Sequence, residues 1–164
     1  MKALSELLVD HYGFRKELVR TLVLKYPAIL NMSKGQLRTF FNFMKQSKGI
    51  DENAAIKMVF NVPPLLNVDI GVKAKELEEL FQIYHKISAA EVTEIWRNFP
   101  FLYCCPTRKI QLFLAEFRKY RLTKEQIINL CSNSGGILGC KVSNYIGLFD
   151  FLRKQYGIKA SFLV

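Results

Sequence analysis

Apolar residues along this 164-residue chain recur at helical spacing in stretches that each run up to a marked corner. The marks are Pro27, Pro63 and Pro100, spaced by 36 and 37 residues, followed 35 residues later by Gly135 in "NSGGILGC". Four residues before each mark stand Val23, Val59, Trp96 and Cys131; five before, Leu22, Met58, Ile95 and Leu130; eight before, Val19, Ala55, Val92 and Ile127. Offsets of this kind place the side chains on one face of a helix, so a short helix is predicted to end at each mark.

The start and the sequel of each short helix are also patterned. Thirteen residues before the marks stand Phe14, Ile50, Ile87 and Leu122. Next to them, Ser88 with Glu91 and Thr123 with Gln126 have capping-box spacing, in which two side chains satisfy first-turn amides; Asp51 is the matching cap in an earlier unit. After the marks, position plus 14 reads Phe41, Leu77, Leu114 and Phe149, and plus 17 reads Met44, Leu80, Phe117 and Leu152. A second, longer helix is predicted there.

Proline disfavours helical geometry in the residue before it and has no amide to donate, which stops the short helix. It suits the first position of a new turn. The apolar residues after each mark, Ile29-Leu30, Leu65-Leu66, Leu102 and Ile137-Leu138, are therefore expected to point inward from a tight turn. Gly135 and Gly136 loosen the fourth corner, which reads either as a terminal-unit substitution or as a place of close approach for a partner. "SGGILGCK" lacks the glycine-lysine-serine/threonine ending of a phosphate loop. Leu4, Leu7, Leu8 and "HYGF" resemble the end of an earlier long helix, as "KQYGI" does later, and "KASFLV" resembles the start of another short one. The sequence thus reads as one all-α superhelical solenoid over 1–164, about four and a half repeats, with corners at 27–30, 63–66, 100–103 and 135–138.

A short helix, a proline corner followed by apolar residues, a longer helix and this period together resemble the mitochondrial transcription termination factor (mTERF) family. The resemblance rests on "YPAIL", "VPPLL" and "FPFLY" in register and spans about Leu4 to Val164. It implies a solenoid with a concave basic face, located in mitochondria or plastids. It also implies binding of organellar DNA or ribosomal RNA in transcription termination, ribosome assembly or related steps. The array is shorter than in typical members, and no base-contacting residue of the family can be matched to a position here.

Charge agrees with a polyanionic partner. Lys and Arg number 24 against 14 Asp and Glu, a formal net charge of +10. Basic residues dominate 31–66 and 104–164, whereas acidic ones outnumber them over 67–103. One recurrent basic set lies near the starts of the long helices: Lys34 and Arg38, Lys73 and Lys75, Arg108 and Lys109, and Lys141. Cations there oppose the helix dipole, and either phosphate binding or an ordinary solvated surface accounts for them. A second set lies near the long-helix ends: Lys45 and Lys48, Arg118, Lys119 and Arg121, and Arg153 and Lys154. Cations there complement the dipole, which favours an ordinary solvated surface, and phosphate binding is the alternative, for which Arg118, Lys119, Arg121, Arg153 and Lys154 are the candidates. Tyr120 and Tyr156 beside them can stack on unpaired bases or pack between repeats.

Other chemistry is thinly represented. Cys104, Cys105, Cys131 and Cys140 lack zinc-site spacing and read as buried or idle thiols. His11 and His85 have no nucleophile or carboxylate at a catalytic spacing, and Glu76, Glu78 and Glu79 share a helix with Lys73 and Lys75 as a solvated, partly ion-paired face. No cofactor motif, secretory core, transit-peptide pattern or membrane-length apolar run is present, so the chain reads as a soluble non-enzyme. The short array favours ribosomal RNA over duplex DNA as the partner, in a ribosome component or assembly factor, together with other proteins of an organellar assembly. The competing expectation is a protein-binding solenoid scaffold.

Overall fold

The computed structural model describes residues 7–133, 136–139 and 141–156, with Ile137, Gly139 and Arg153 described by their backbone alone. Expectations resting on Leu4, Gly135, Cys140 and "KASFLV" lie outside the described residues. The fold is all-α and of the helical-repeat solenoid class. It divides into two compact units, Met1–Gly71 and Val72–Val164.

The first unit holds a helical turn Leu7–His11, helix α1 (Lys16–Lys25), a corner Pro27–Asn31, the long helix α2 (Lys34–Lys48), α3 (Glu52–Asn61) and a corner Pro63–Asn67. Helix α4 (Ile70–His85) begins within this unit. The second unit takes the rest of α4, then α5 (Ala89–Asn98), a corner Pro100–Cys104, α6 (Thr107–Lys119), α7 (Lys124–Asn133), a helical turn Gly136–Gly139 and α8 (Val142–Tyr156). Alternation of ten-residue helices with longer ones is the arrangement that the apolar phase predicts.

Three proline corners share one backbone geometry. The pre-proline residues Tyr26, Val62 and Phe99 have φ/ψ of −144/74, −134/72 and −131/76, and each donates its amide to the preceding helix at 2.8 Å. Two residues after the proline, the amides of Ile29, Leu65 and Leu102 return to those same pre-proline carbonyls at 3.1 Å, closing a 3-10 turn. Their side chains are wholly buried. The next position differs from expectation: Leu66 and Tyr103 are buried but Leu30 is 38% exposed. Three residues per turn rotate this side chain about 120° from its inward neighbour, so adjoining side chains decide its burial. Tyr103 is covered by Trp96, stacked at 3.8 Å. At the fourth corner, Gly136–Gly139 form a turn of α-helix and Leu138 is buried.

Helix starts follow the capping chemistry. Ser88 Oγ accepts from the Glu91 amide while Glu91 accepts from the Ser88 amide, and Thr123 with Gln126 does the same. Asp51 Oδ1 accepts from the Ala54 amide at 2.9 Å. Ser33 with Gln36 forms a further box at the start of α2. The long-helix ends are equally regular. Gly49, Lys86 and Arg121 sit in left-handed backbone at φ 59, 58 and 56 after α2, α4 and α6, and Gly13 does so at φ 67 after the first helical turn. The amides that follow, at Phe14, Ile50, Ile87 and Leu122, donate back into the helix just ended.

Apolar side chains from these positions fill each unit. In the first, Tyr12 stacks on Phe41 at 4.1 Å, Phe14 meets Phe41 edge-on at 6.1 Å, and Lys25 lies over the Phe60 ring at 4.4 Å. In the second, short helix α5 packs on short helix α7 and long helix α6 on long helix α8. Tyr145 bridges the long pair, with Phe113 at 5.6 Å, Phe117 at 5.9 Å and Phe149 at 4.3 Å. Among the described residues no helix is long and apolar enough to cross a membrane.

Candidate nucleic-acid interface

The basic residues picked out by sequence fall into different physical situations. In the first unit, Lys34 opens α2 beside the Ser33 cap and Arg38 follows one turn later, both exposed. Arg38 lies near enough to Tyr12 to oppose the rise in its pKa that burial and the Glu52 carboxylate cause. The same unit holds a cleft of about 420 Å³ between α2, the Pro63 corner and the start of α4, with Gln36, Thr39, Phe43, Asn67 and Asp69 in its wall. Asn67 also donates its side-chain amide to the Tyr26 hydroxyl. No local sequence signal marks this cleft, because its wall comes from segments some thirty residues apart.

In the second unit the helix-start set divides. Lys75 and Arg108 are exposed, and Lys141 is exposed where its carbonyl receives the first-turn amides of α8. Lys73 and Lys109 are half-buried. Lys73 Nζ donates to Thr107 Oγ1, and that hydroxyl donates to Glu76 Oε2 at 2.6 Å, a chain that ties α4 to the first residue of α6. Burial lowers the Lys73 pKa, with Glu76 acting in the opposite direction. This lysine therefore has a structural task as well as a charge, and Glu76 is engaged in the same link.

The helix-end set is the more exposed group. Arg118, Lys119, Arg121 and Lys154 all face solvent, while of Arg153 only the backbone is described. Lys119 pairs with Glu116 at 3.4 Å. Between α4 and α6, His85 Nε2 donates to the Leu114 carbonyl at 2.8 Å. Burial lowers the His85 pKa against the effect of that hydrogen bond, and the nearby Arg118 lowers it further, so the imidazole is neutral at neutral pH. The ends of α4 and α6 thus lie side by side, with cations dominating. The tyrosines separate: Tyr120 packs between repeats, its ring 5.2 Å from Phe149 and its hydroxyl donating to Asp150 Oδ1 at 3.1 Å, whereas Tyr156 is exposed beside Phe151. Elsewhere in this unit Lys124 and Glu91 pair at 2.8 Å, and the lysine and the Ser88 cap hold the Glu91 carboxyl down at about 2.

Among the described residues the thiols offer no reactive centre. Cys105 and Cys131 are buried and Cys104 half-buried; burial pushes Cys104 up to about 11 and Cys131 up to about 12, and raises Cys105 as well. Each is a protonated thiol at neutral pH.

Comparison with curated proteins gives no match. A protein-family model does match: residues 6–83 fit that of the mTERF family. The matched stretch contains two of the three proline corners and the first two left-handed glycines, and the same capped helices and corner geometry continue to residue 133. Over residues 6–83, therefore, the chain is similar to the mTERF family.

Proposed function

We propose that this protein is a non-enzymatic nucleic-acid-binding protein of organellar gene expression, placed in the mitochondrion. Its proposed target is structured ribosomal RNA, bound as a component or assembly factor of the mitochondrial ribosome. The observation that carries the reading is the exposed cationic end of α6, Arg118, Lys119 and Arg121, in a chain of net charge +10 with a segment that matches the mTERF family. Cations on a rigid helical frame neutralise backbone phosphates and release counterions, and RNA can be held by shape and phosphate contacts without groove reading. Lys34, Arg38, Lys75, Arg108, Lys109, Lys141, Arg153 and Lys154 are proposed as further phosphate contacts. Lys73 contributes at its half-buried position.

Duplex DNA binding in transcription regulation is the alternative within the same chemistry. Exposed Leu148 and Phe151 on α8 favour a second reading, a scaffold that holds a protein partner. Crosslinking in intact organelles followed by sequencing of the attached nucleic acid separates these. Enrichment of one ribosomal RNA region is expected. A DNA peak moves the reading to transcription, and absence of any enrichment leaves the scaffold.

A further inference from the structure

Four homologous positions close the helices that precede each short helix, and all four are left-handed: Gly13, Gly49, Lys86 and Arg121. Glycine adopts this backbone freely, whereas an L side chain crowds its own carbonyl there. The non-glycine residues that enter the region most readily are Asn, Asp and His. Nothing about the turn itself requires lysine or arginine, since Gly49 forms it: the amide after Gly49 returns six residues into its helix, as the one after Lys86 does, and the one after Arg121 returns five. Both exceptions are long cations, and both lie in the second unit, one repeat apart.

The strain has no evident return inside the fold. Lys86 and Arg121 are exposed, and among the described residues neither side chain makes an ion pair, hydrogen bond or ring contact. Arg118 is unpartnered in the same way. Connectivity brings the three together. His85, next to Lys86, bonds the carbonyl of Leu114, which lies one helical turn before Arg118 on the same face, and Arg118 is close enough to act on the imidazole. Arg121 in turn donates its amide to the Arg118 carbonyl at 3.1 Å. The titratable groups beside Arg118 do not neutralise the cluster: His85 is uncharged and Glu116 is taken by Lys119.

We propose that Lys86, Arg118 and Arg121 form a phosphate clamp for a nucleic-acid backbone, with Lys86 and Arg121 kept in strained backbone because the left-handed turn presents their charges outward beside Arg118. Strain retained without an internal partner is found where function fixes a conformation. The proposal deepens the nucleic-acid reading above and rests on it. It adds Lys86, which sequence position alone does not distinguish from other surface lysines.

The test compares the full chain with K86G/R121G and with a charge-matched control, K16Q/K57Q, which removes two exposed cations from the first unit. Thermal unfolding is measured beside binding of a fluorescent single-stranded RNA of mixed sequence across a salt series. The glycine pair is expected to melt higher by about 4–8 °C, as two left-handed side chains are relieved. It is also expected to bind more weakly, with the slope of log affinity against log salt reduced by about 1.4, that is about 0.7 for each lost phosphate contact. The control keeps the slope of the full chain. A raised melting temperature with unchanged affinity and slope overturns the clamp while leaving nucleic-acid binding intact, and an unchanged or lowered melting temperature overturns the strain argument. A full chain that shows no salt-dependent binding overturns the functional reading itself and the clamp with it.

Discussion

The corner residue two places after each proline sets the cohesion of the repeat, and Leu65 tests that role most sharply. Its side chain is 0% exposed, and its amide and carbonyl both belong to the 3-10 turn. Leu65→Ala deletes three carbon atoms from a site framed by the turn itself, which has little room to collapse. Replacements of this kind cost about 3–5 kcal/mol, transfer and cavity contributions together. Leu30, in the preceding corner and 38% exposed, is the matched comparison; Leu30→Ala is expected to cost less than about 1 kcal/mol. In urea unfolding followed by circular dichroism, a slope of about 2 kcal/mol per molar converts these into midpoint shifts of about 1.5–2.5 M and below about 0.5 M. Equal shifts for the two variants would refute the assignment of Leu65 as inward and Leu30 as peripheral. A small shift for Leu65→Ala alone would refute the view that the corner is a packed element.

Three further outcomes follow from the second unit. Tyr103→Phe is expected to leave stability unchanged or raise it by up to about 1 kcal/mol, because the Tyr103 hydroxyl is buried without a hydrogen-bond partner among the described residues; chemical denaturation reads this, and a loss above about 1 kcal/mol would contradict it. His85 has its pKa lowered in the fold, so its contribution is fully present above the ordinary histidine value near 6.5 and declines as pH falls below it; melting temperatures at pH 7.5 and 5.5 should fall less in His85→Gln than in the parent. Glu91, held at about 2, contributes stability above its ordinary value and loses it as pH falls from about 4.5 towards 2, so Glu91→Gln should flatten the acid limb of the same melting profile.

Much of the fold was legible because proline and the capping residues act locally. Pro27, Pro63 and Pro100 impose the same turn wherever they stand, and Asp51, Ser88 and Thr123 cap whichever helix follows them. Ser33 with Gln36 carries the same signature and was equally readable. The burial of Ile29, Leu65 and Leu102 followed from phase, but the exposure of Leu30 did not, since it depends on which neighbouring side chains overlie the turn. Left-handed helix ends announce themselves when glycine occupies them, as at Gly49, and are silent at Lys86 and Arg121, where the residue argues against the conformation. The interface was legible only as charge. Sequence could not tell that Lys73 is engaged by Thr107, nor that Tyr120 is spent on Asp150 and Phe149, because these partners lie about thirty residues away along the chain.

The central claim is that exposed cations at the long-helix ends of the second unit bind backbone phosphates. Its most direct measurement is the affinity of the purified chain for single-stranded and duplex nucleic acid across a salt series, beside Arg118→Gln/Lys119→Gln/Arg121→Gln. The account predicts a steep salt slope in the parent and a slope shallower by about 2 in the triple variant on single strands, with its fold retained. Identical slopes in the two proteins would contradict it.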